Sequence, residues 1–193
     1  IWQQKDGLGL QWPIQSRNKK SITLNLREPK GQEIFKQLVK DADIIIENFR
    51  PGTMERWGLG YETLKEINPG IIMVRTSGYG QTGPYKDRAG FGAIGEAMGG
   101  LRYATGFPDR TPSRIGVSIG DSLAALFATI GCLTALYERT RSGQGQIVDT
   151  AIYEAVFSIM ESTIPDYVLA NYVRERMGNI LPGISPSNIY LTK

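Results

Sequence analysis

The chain has 193 residues, enough for one domain with a sizeable core, and 22 Lys and Arg against 19 Asp and Glu leave a net charge of only +3. The basic residues are spread along the chain without interleaved aromatics, which argues against a general nucleic-acid groove. The absence of histidine excludes Ser-His-Asp and Cys-His catalysis, histidine proton shuttling and ordinary histidine metal sites, and the single cysteine excludes an intrachain disulfide framework or a Cys-cluster zinc site.

Chemistry here must rest on carboxylates, lysine, tyrosine, hydroxyls or backbone. The apolar runs fall short of the roughly 18 to 20 residues of a membrane span, and the opening residues do not form a signal peptide. The chain starts at Ile1 and stops at Lys193 just after the strand-like stretch 188–192, so the expectation is a piece of a longer protein.

Residues 1–20 show no period and include Gly7, Gly9 and Pro13, which predicts a loop with Trp2 and Trp12 as anchors. Residues 21–26 alternate and predict a strand. The next segment, 29–42, opens on Pro29 and places Ile34, Phe35, Leu38 and Val39 on one helical face. Residues 44–47 form a short apolar run, the pattern of a parallel strand covered on both faces. Strand, helix and strand make a βαβ unit, which sets the class as α/β.

Asn48, Phe49, Arg50, Pro51 and Gly52 then form a turn, followed by a helix through Met54, Arg56 and Trp57, a second helix over 61–67 and a buried strand over 71–75. Ligands of open α/β sheets collect at the carboxyl ends of strands, so the loops at 48–50 and 76–83 are the first places to look for a site. Residues 76–120 are rich in glycine and proline with one helical piece near 93–98. An irregular stretch of this length is usually functional or covered by another chain.

Residues 115–141 organise the rest. An extended run turns through Gly120 and Asp121 into a helix whose positions 123–137 carry Leu123, Leu126, Phe127, Ile130, Leu133 and Leu136 at helical spacing, with Ala128, Gly131 and Cys132 keeping the other sides small. Such a helix is expected to be buried on nearly every side, with Cys132 a small core residue in a reducing compartment. Two roles fit Asp121 at its start. One is an N-cap favoured by the helix dipole, and the other is a reactive carboxylate held ionised beside a glycine that lets substrate approach. A turn at 141–145, a strand at 146–150, a helix over 151–163 stopped before Pro165, and a loop over 178–186 complete the chain.

Several constellations take bland readings. The two G-x-G-x-x-G matches, from Gly78 and from Gly90, lack the strand, helix and acidic residue of a dinucleotide fingerprint and read as close-approach loops. Arg50 and Arg56 suit either phosphate oxygens or solvent. Lys19, Lys20, Arg110 and Arg114 read as solvated. Glu154 and Glu161, seven apart on one helix, read as surface or structural residues, and Asp149 as the cap of the helix after its strand.

Taken together, Asn18-Lys19-Lys20-Ser21, Glu47-Asn48-Phe49-Arg50-Pro51-Gly52, Gly58-Leu59-Gly60-Tyr61, Ser77-Gly78-Tyr79-Gly80-Gln81-Thr82-Gly83-Pro84 and Ile119-Gly120-Asp121 resemble the family III (CaiB/BaiF) CoA-transferases. This group includes formyl-CoA transferase, carnitine CoA-transferase and the α-methylacyl-CoA racemases. The resemblance implies a CoA-transferase with Asp121 as covalent nucleophile, moving CoA from an acyl-CoA to a small carboxylic acid. Coenzyme A then comes as substrate, with no permanently bound cofactor and no metal.

Carried over residue by residue, the resemblance places Leu24, Asn25, Leu26 and Arg27 along the CoA adenosine, and Asn48, Phe49, Arg50 and Arg56 at its nucleotide and phosphates. Ala89, Gly90, Phe91 and Gly92 fall near the pantetheine and reacting centre. The racemases carry histidine where this chain has Phe91, which disfavours the racemase alternative; the other alternative is a non-catalytic CoA-binding or dimerisation module. Where formyl-CoA transferase has a glycine-rich closing loop, this chain has Pro182-Gly183-Ile184-Ser185-Pro186. The implied fold is a doubly wound, Rossmann-like α/β domain in an interlocked homodimer. Residues 1–193 would form part of that large CoA-binding domain, without its first βα unit and the C-terminal part. The expected location is the cytoplasm, or the mitochondrial matrix or peroxisome of a eukaryote, with no nucleic-acid or membrane partner.

Overall fold

In the computed structural model, which describes residues 3–192, the chain opens with a hairpin of β1 (Gln4–Lys5) and β2 (Leu8–Gly9) and a short helix α1 (Trp12–Gln15). Residues 1–20 are therefore not a bare loop. Trp12 lies exposed on α1 and anchors nothing, while Trp2 falls outside the described residues.

Three parallel strands carry the domain, in the order β3 (Ile44–Glu47), β4 (Ile72–Ser77) and β5 (Ile147–Ala151). The register pairs Glu47 with Arg75 and Ser77 with Ala151. Between β3 and β4 run α3 (Thr53–Arg56) and α4 (Tyr61–Ile67). From β4 the chain returns to β5 through α5 (Gly92–Met98), α6 (Leu101–Ala104) and α7 (Ile119–Ser142). Both connections are crossovers, as parallel pairing requires.

One face of the sheet packs on α4 and on α2 (Pro29–Val39). Val39, Ile45, Met54, Leu64 and Met73 are buried there. Asn68 ends α4 and locks this layer, its side-chain amide donating to the carbonyls of Val39 at 3.0 Å and Ala42 at 2.9 Å. The other face takes α7, with Ile72 and Val74 against Ala128 and Ala135. Helices on both faces of a parallel sheet make the fold doubly wound.

The face that α7 turns to the sheet is its small one. Ala124, Ala128 and Ala135 are buried, and a Cβ at Gly131 would stand 2.6 Å from Val148 Cγ1, so only small residues allow this spacing. The expectation of all-round burial fails: Leu126, Ile130, Leu133 and Tyr137 are exposed. Helical periodicity identified the element, but it could not distinguish a stripe of large residues facing out from one facing in. By length and composition α7 could also cross a bilayer, yet its alanine face is occupied by the sheet.

Other expectations need correction. Residues 21–26 form no strand and no βαβ unit with β3, because no described strand offers them a ladder partner. β3 is fully covered on one face only; on the other, Ile44 packs partly against the α7 layer while Ile46 is 74% exposed. On α2, Val39 points inward and Phe35 is partly buried, while Ile34 and Leu38 face out. The helix expected over 151–163 divides into α8 (Ile152–Phe157) and α9 (Thr163–Ala170), broken by a left-handed Glu161 at φ 53°. Pro165 does not stop a helix; it sits in the first turn of α9, where its missing N–H costs nothing. Glu154 and Glu161 consequently do not share a helix. The stretch 188–192 is not a strand.

Candidate active site

Asp121 is the third residue of α7, and Ser118 rather than Asp121 occupies the N-cap, with no side-chain cap hydrogen bond. The carboxylate is exposed in the first turn, at the positive end of the helix dipole. Opposite it stands Gly92, the first residue of α5. A Cβ there would lie 2.7 Å from Asp121 Oδ2 and 3.0 Å from Oδ1, so glycine is what lets the α5 backbone meet the carboxylate.

Asp121 lies at a cavity of about 700 Å³ between α7 and the sheet. Ile46, Val74, Ala125 and Leu133 make its walls apolar, and Asn48, Gly78, Gly90 and Phe91 come from the loops at the carboxyl ends of β3 and β4. A Cβ at Gly78 would stand 2.5 Å from the Gly90 Cα, so these loops touch backbone to backbone. A separate cavity of about 390 Å³ by α6 and α9 has no carboxylate in its lining, and in a smaller one of about 280 Å³ beside β5 and α8 the carboxylates of Asp149 and Glu154 already accept from the Gln81 N–H and the Tyr153 hydroxyl, so the Asp121 cavity is the candidate site. Four expected site residues, Asn48, Gly90, Phe91 and Asp121, thus share one cavity, and Gly92 abuts it.

The remaining expected residues lie apart from that cavity. Leu26 packs on the opposite face of the sheet, and the segment 24–27 is held by Gln32, whose amide donates to the Leu26 carbonyl at 3.1 Å, and by Asn25 Oδ1, which accepts from the Arg27 N–H at 3.1 Å. Leu24 is half-buried, and Ala89 is exposed. Phe49 rests edge-on against Trp57, with ring centroids 5.1 Å apart. Arg50 and Arg56 are exposed, and Arg56 donates to Thr53 Oγ1 at 2.8 Å. Asp149 is no helix cap; it sits within β5 and accepts from the Gln81 N–H at 2.8 Å, pinning the loop after β4.

Residues 2–193 match the family model described as CoA-transferase family III. The chain belongs to CoA-transferase family III. It is 64% identical over 186 residues to the succinyl-CoA–D-citramalate CoA-transferase of Chloroflexus aurantiacus, a match covering 96% of this chain and 46% of that relative. The succinyl-CoA–L-malate CoA-transferase beta subunit of the same bacterium is 48% identical over 88% of this chain and 42% of its own. The chain therefore spans about half the length of the curated relatives it matches. A CaiB/BaiF family crystal structure from Brucella suis superposes with a TM-score of 0.83 at 39% identity, over 88% of this chain and 45% of that one.

In this family III chain the sequence reading missed a buried ionic network below the β3 loop. Arg75 is 5% exposed, and its Nε donates to Glu47 Oε1 at 2.6 Å. Its two terminal nitrogens grip Glu55 at 2.6 and 3.1 Å, while Glu47 Oε2 accepts the Phe49 N–H at 2.7 Å. The Arg75 hydrogen bond holds the Glu55 carboxyl below its ordinary value, and although burial pulls Arg75 down, its bonds to Glu55 and Glu47 leave it raised. A charge directly after the apolar run of each of two strands was the available signal. Glu96 was missed as well: it is buried, pairs through Oε2 with Arg102 at 3.1 Å, and packs against Gly120.

Proposed function

We propose that the protein is an acyl-CoA:carboxylate CoA-transferase with Asp121 as its covalent nucleophile. The observation that carries this reading is a carboxylate in the first turn of α7, facing glycine backbone at an apolar cavity. The aspartate oxygen attacks the thioester carbonyl and expels CoA thiolate, leaving a mixed anhydride. The thiolate then attacks the Asp121 carbonyl, releases the donor acid and leaves an aspartyl-CoA thioester. The acceptor carboxylate attacks that thioester to form a second anhydride, and the thiolate returns to the acceptor carbonyl, freeing Asp121. Each step exchanges one carboxylate for one thiolate, so no proton is left over and no histidine base is required.

The names of the relatives support succinyl-CoA as donor and a citramalate- or malate-like acid as acceptor. The family resemblance supports the CoA placement: adenosine along Leu24 to Arg27, nucleotide and phosphates at Asn48, Phe49, Arg50 and Arg56, and pantetheine near Ala89 to Gly92. It also supports reading the chain as the greater part of the large domain of an interlocked homodimer. The free Cys132 fits a reducing, cytoplasmic setting. Phe91 at the cavity, in a chain without histidine, weighs against racemisation, which needs a proton donor and acceptor on opposite faces of the α-carbon.

The test is Asp121→Asn in the full-length protein, assayed for CoA exchange between succinyl-CoA and citramalate. The amide cannot attack, so exchange falls by roughly a thousandfold or more, the loss typical when a covalent nucleophile is removed. Asp121 is exposed, so the melting temperature holds. Retention of exchange in the variant would refute the role.

A further inference from the structure

We infer that Glu47 and Arg75 are positioning residues that hold the Asn48–Arg50 loop in the shape that receives the nucleotide half of CoA. The inference rests on the transferase reading above and deepens it. Glu47 is the last residue of β3, and its two oxygens point to different tasks: Oε1 takes the Arg75 Nε at 2.6 Å, and Oε2 takes the Phe49 N–H at 2.7 Å. Arg75 is in turn gripped by Glu55 on α3, the helix that carries Arg56. One buried cation thereby ties the end of β3, the loop backbone at Phe49 and the start of the following helix into a single unit.

Most of this unit lies away from the Asp121 carboxylate; only Glu47 and Asn48 border its cavity. Asp121 stands on α7, on the other face of the sheet from the α3 and α4 layer, and Phe49, Arg50 and Arg56 are outside the lining of its cavity. Both guanidinium groups, at Arg50 and Arg56, are exposed. The backbone that carries them is tied on both sides by charge-assisted bonds, before Arg50 by Glu47 at the Phe49 N–H and beside Arg56 by Arg75 at Glu55. The network therefore bears first on binding of the nucleotide, through Phe49, Arg50 and Arg56, which lie outside the Asp121 cavity.

Glu47→Gln in the full-length protein tests this directly. Glutamine keeps the shape but replaces one oxygen by an NH₂ donor, so it cannot accept from both Arg75 and Phe49. The expected result is a rise of roughly tenfold or more in the KM for succinyl-CoA and in the inhibition constant of adenosine 3′,5′-bisphosphate, with kcat within about twofold, as for loss of one hydrogen bond to a charged group. If this variant does not fold, Arg75→Lys serves: it keeps the charge, but a single ammonium cannot reproduce the three bonds of the guanidinium, and the same split is expected. A merely structural role would lower the active fraction, and hence kcat, with the inhibition constant unchanged; that outcome overturns the inference while wild-type exchange leaves the transferase reading standing. A wild-type protein that binds the bisphosphate but exchanges no CoA overturns the transferase reading, and the inference with it.

Discussion

Replacing Gly92 by alanine separates catalysis from stability. The Gly92 φ lies outside the left-handed region, so alanine can adopt the backbone, and as the first residue of α5 it accepts a helix former. Its methyl carbon, however, would start 2.7 Å from Asp121 Oδ2 and 3.0 Å from Cγ. Ordinary contact lies near 3.5 Å, so the carboxylate must retreat by about 0.8 Å. The atoms that give way are the far end of an exposed side chain, so the fold is spared and the stability change stays within about 1 kcal/mol, or roughly 2–4 °C for a domain of this size. A misplacement near 1 Å in a reacting group costs on the order of a hundredfold, which puts the expected loss of kcat at roughly ten- to a hundredfold. Initial rates of CoA exchange and a thermal melt on the same preparation measure both quantities. Wild-type kcat in Gly92→Ala would refute the reasoning, because it would mean that the Asp121 carboxylate does not need its observed place.

Two further expectations follow from the network and the core. Glu55 has a lowered pKa, so its ion pair with Arg75 stabilises the fold above the ordinary carboxyl value of 4.5 and loses that contribution as pH falls through the lowered value. Glu55→Gln should therefore melt lower than wild type at pH 7 and converge with it in acid; a gap constant across the acid range would rule out the pairing as its source. Leu64 has no exposed surface and packs with Met54 and Met73, so Leu64→Ala should cost about 2–5 kcal/mol in denaturant unfolding, and a loss below about 1 kcal/mol would contradict the packing described for that layer.

How far the residues disclose the structure varies from element to element. β3 and α4 lie where the sequence reading placed them, because a triple isoleucine run and a seven-residue segment between Gly60 and Asn68 leave few alternatives. Residues 21–26 alternate as a strand does, but pairing needs a partner, which alternation cannot report. Periodicity likewise found α7 and missed its orientation, since alanine and leucine stripes share the same period and only the closeness of the sheet at Gly131 decides between them. At the site, the motifs pointed to Asp121, Asn48, Gly90 and Phe91, which the fold brings to one cavity. The Glu47–Arg75 pair was hidden because its members lie 28 positions apart and meet only through strand register.

The most direct test of the central claim is chemical capture of the acyl-enzyme. The full-length protein is incubated with succinyl-CoA, quenched with hydroxylamine and digested with trypsin, and the peptide spanning 115–139 is weighed and sequenced. The account predicts a hydroxamate on Asp121. An unmodified Asp121 in a protein shown to bind and turn over succinyl-CoA would contradict it, and the carboxylate would then be no more than a charge placed well for the dipole of α7.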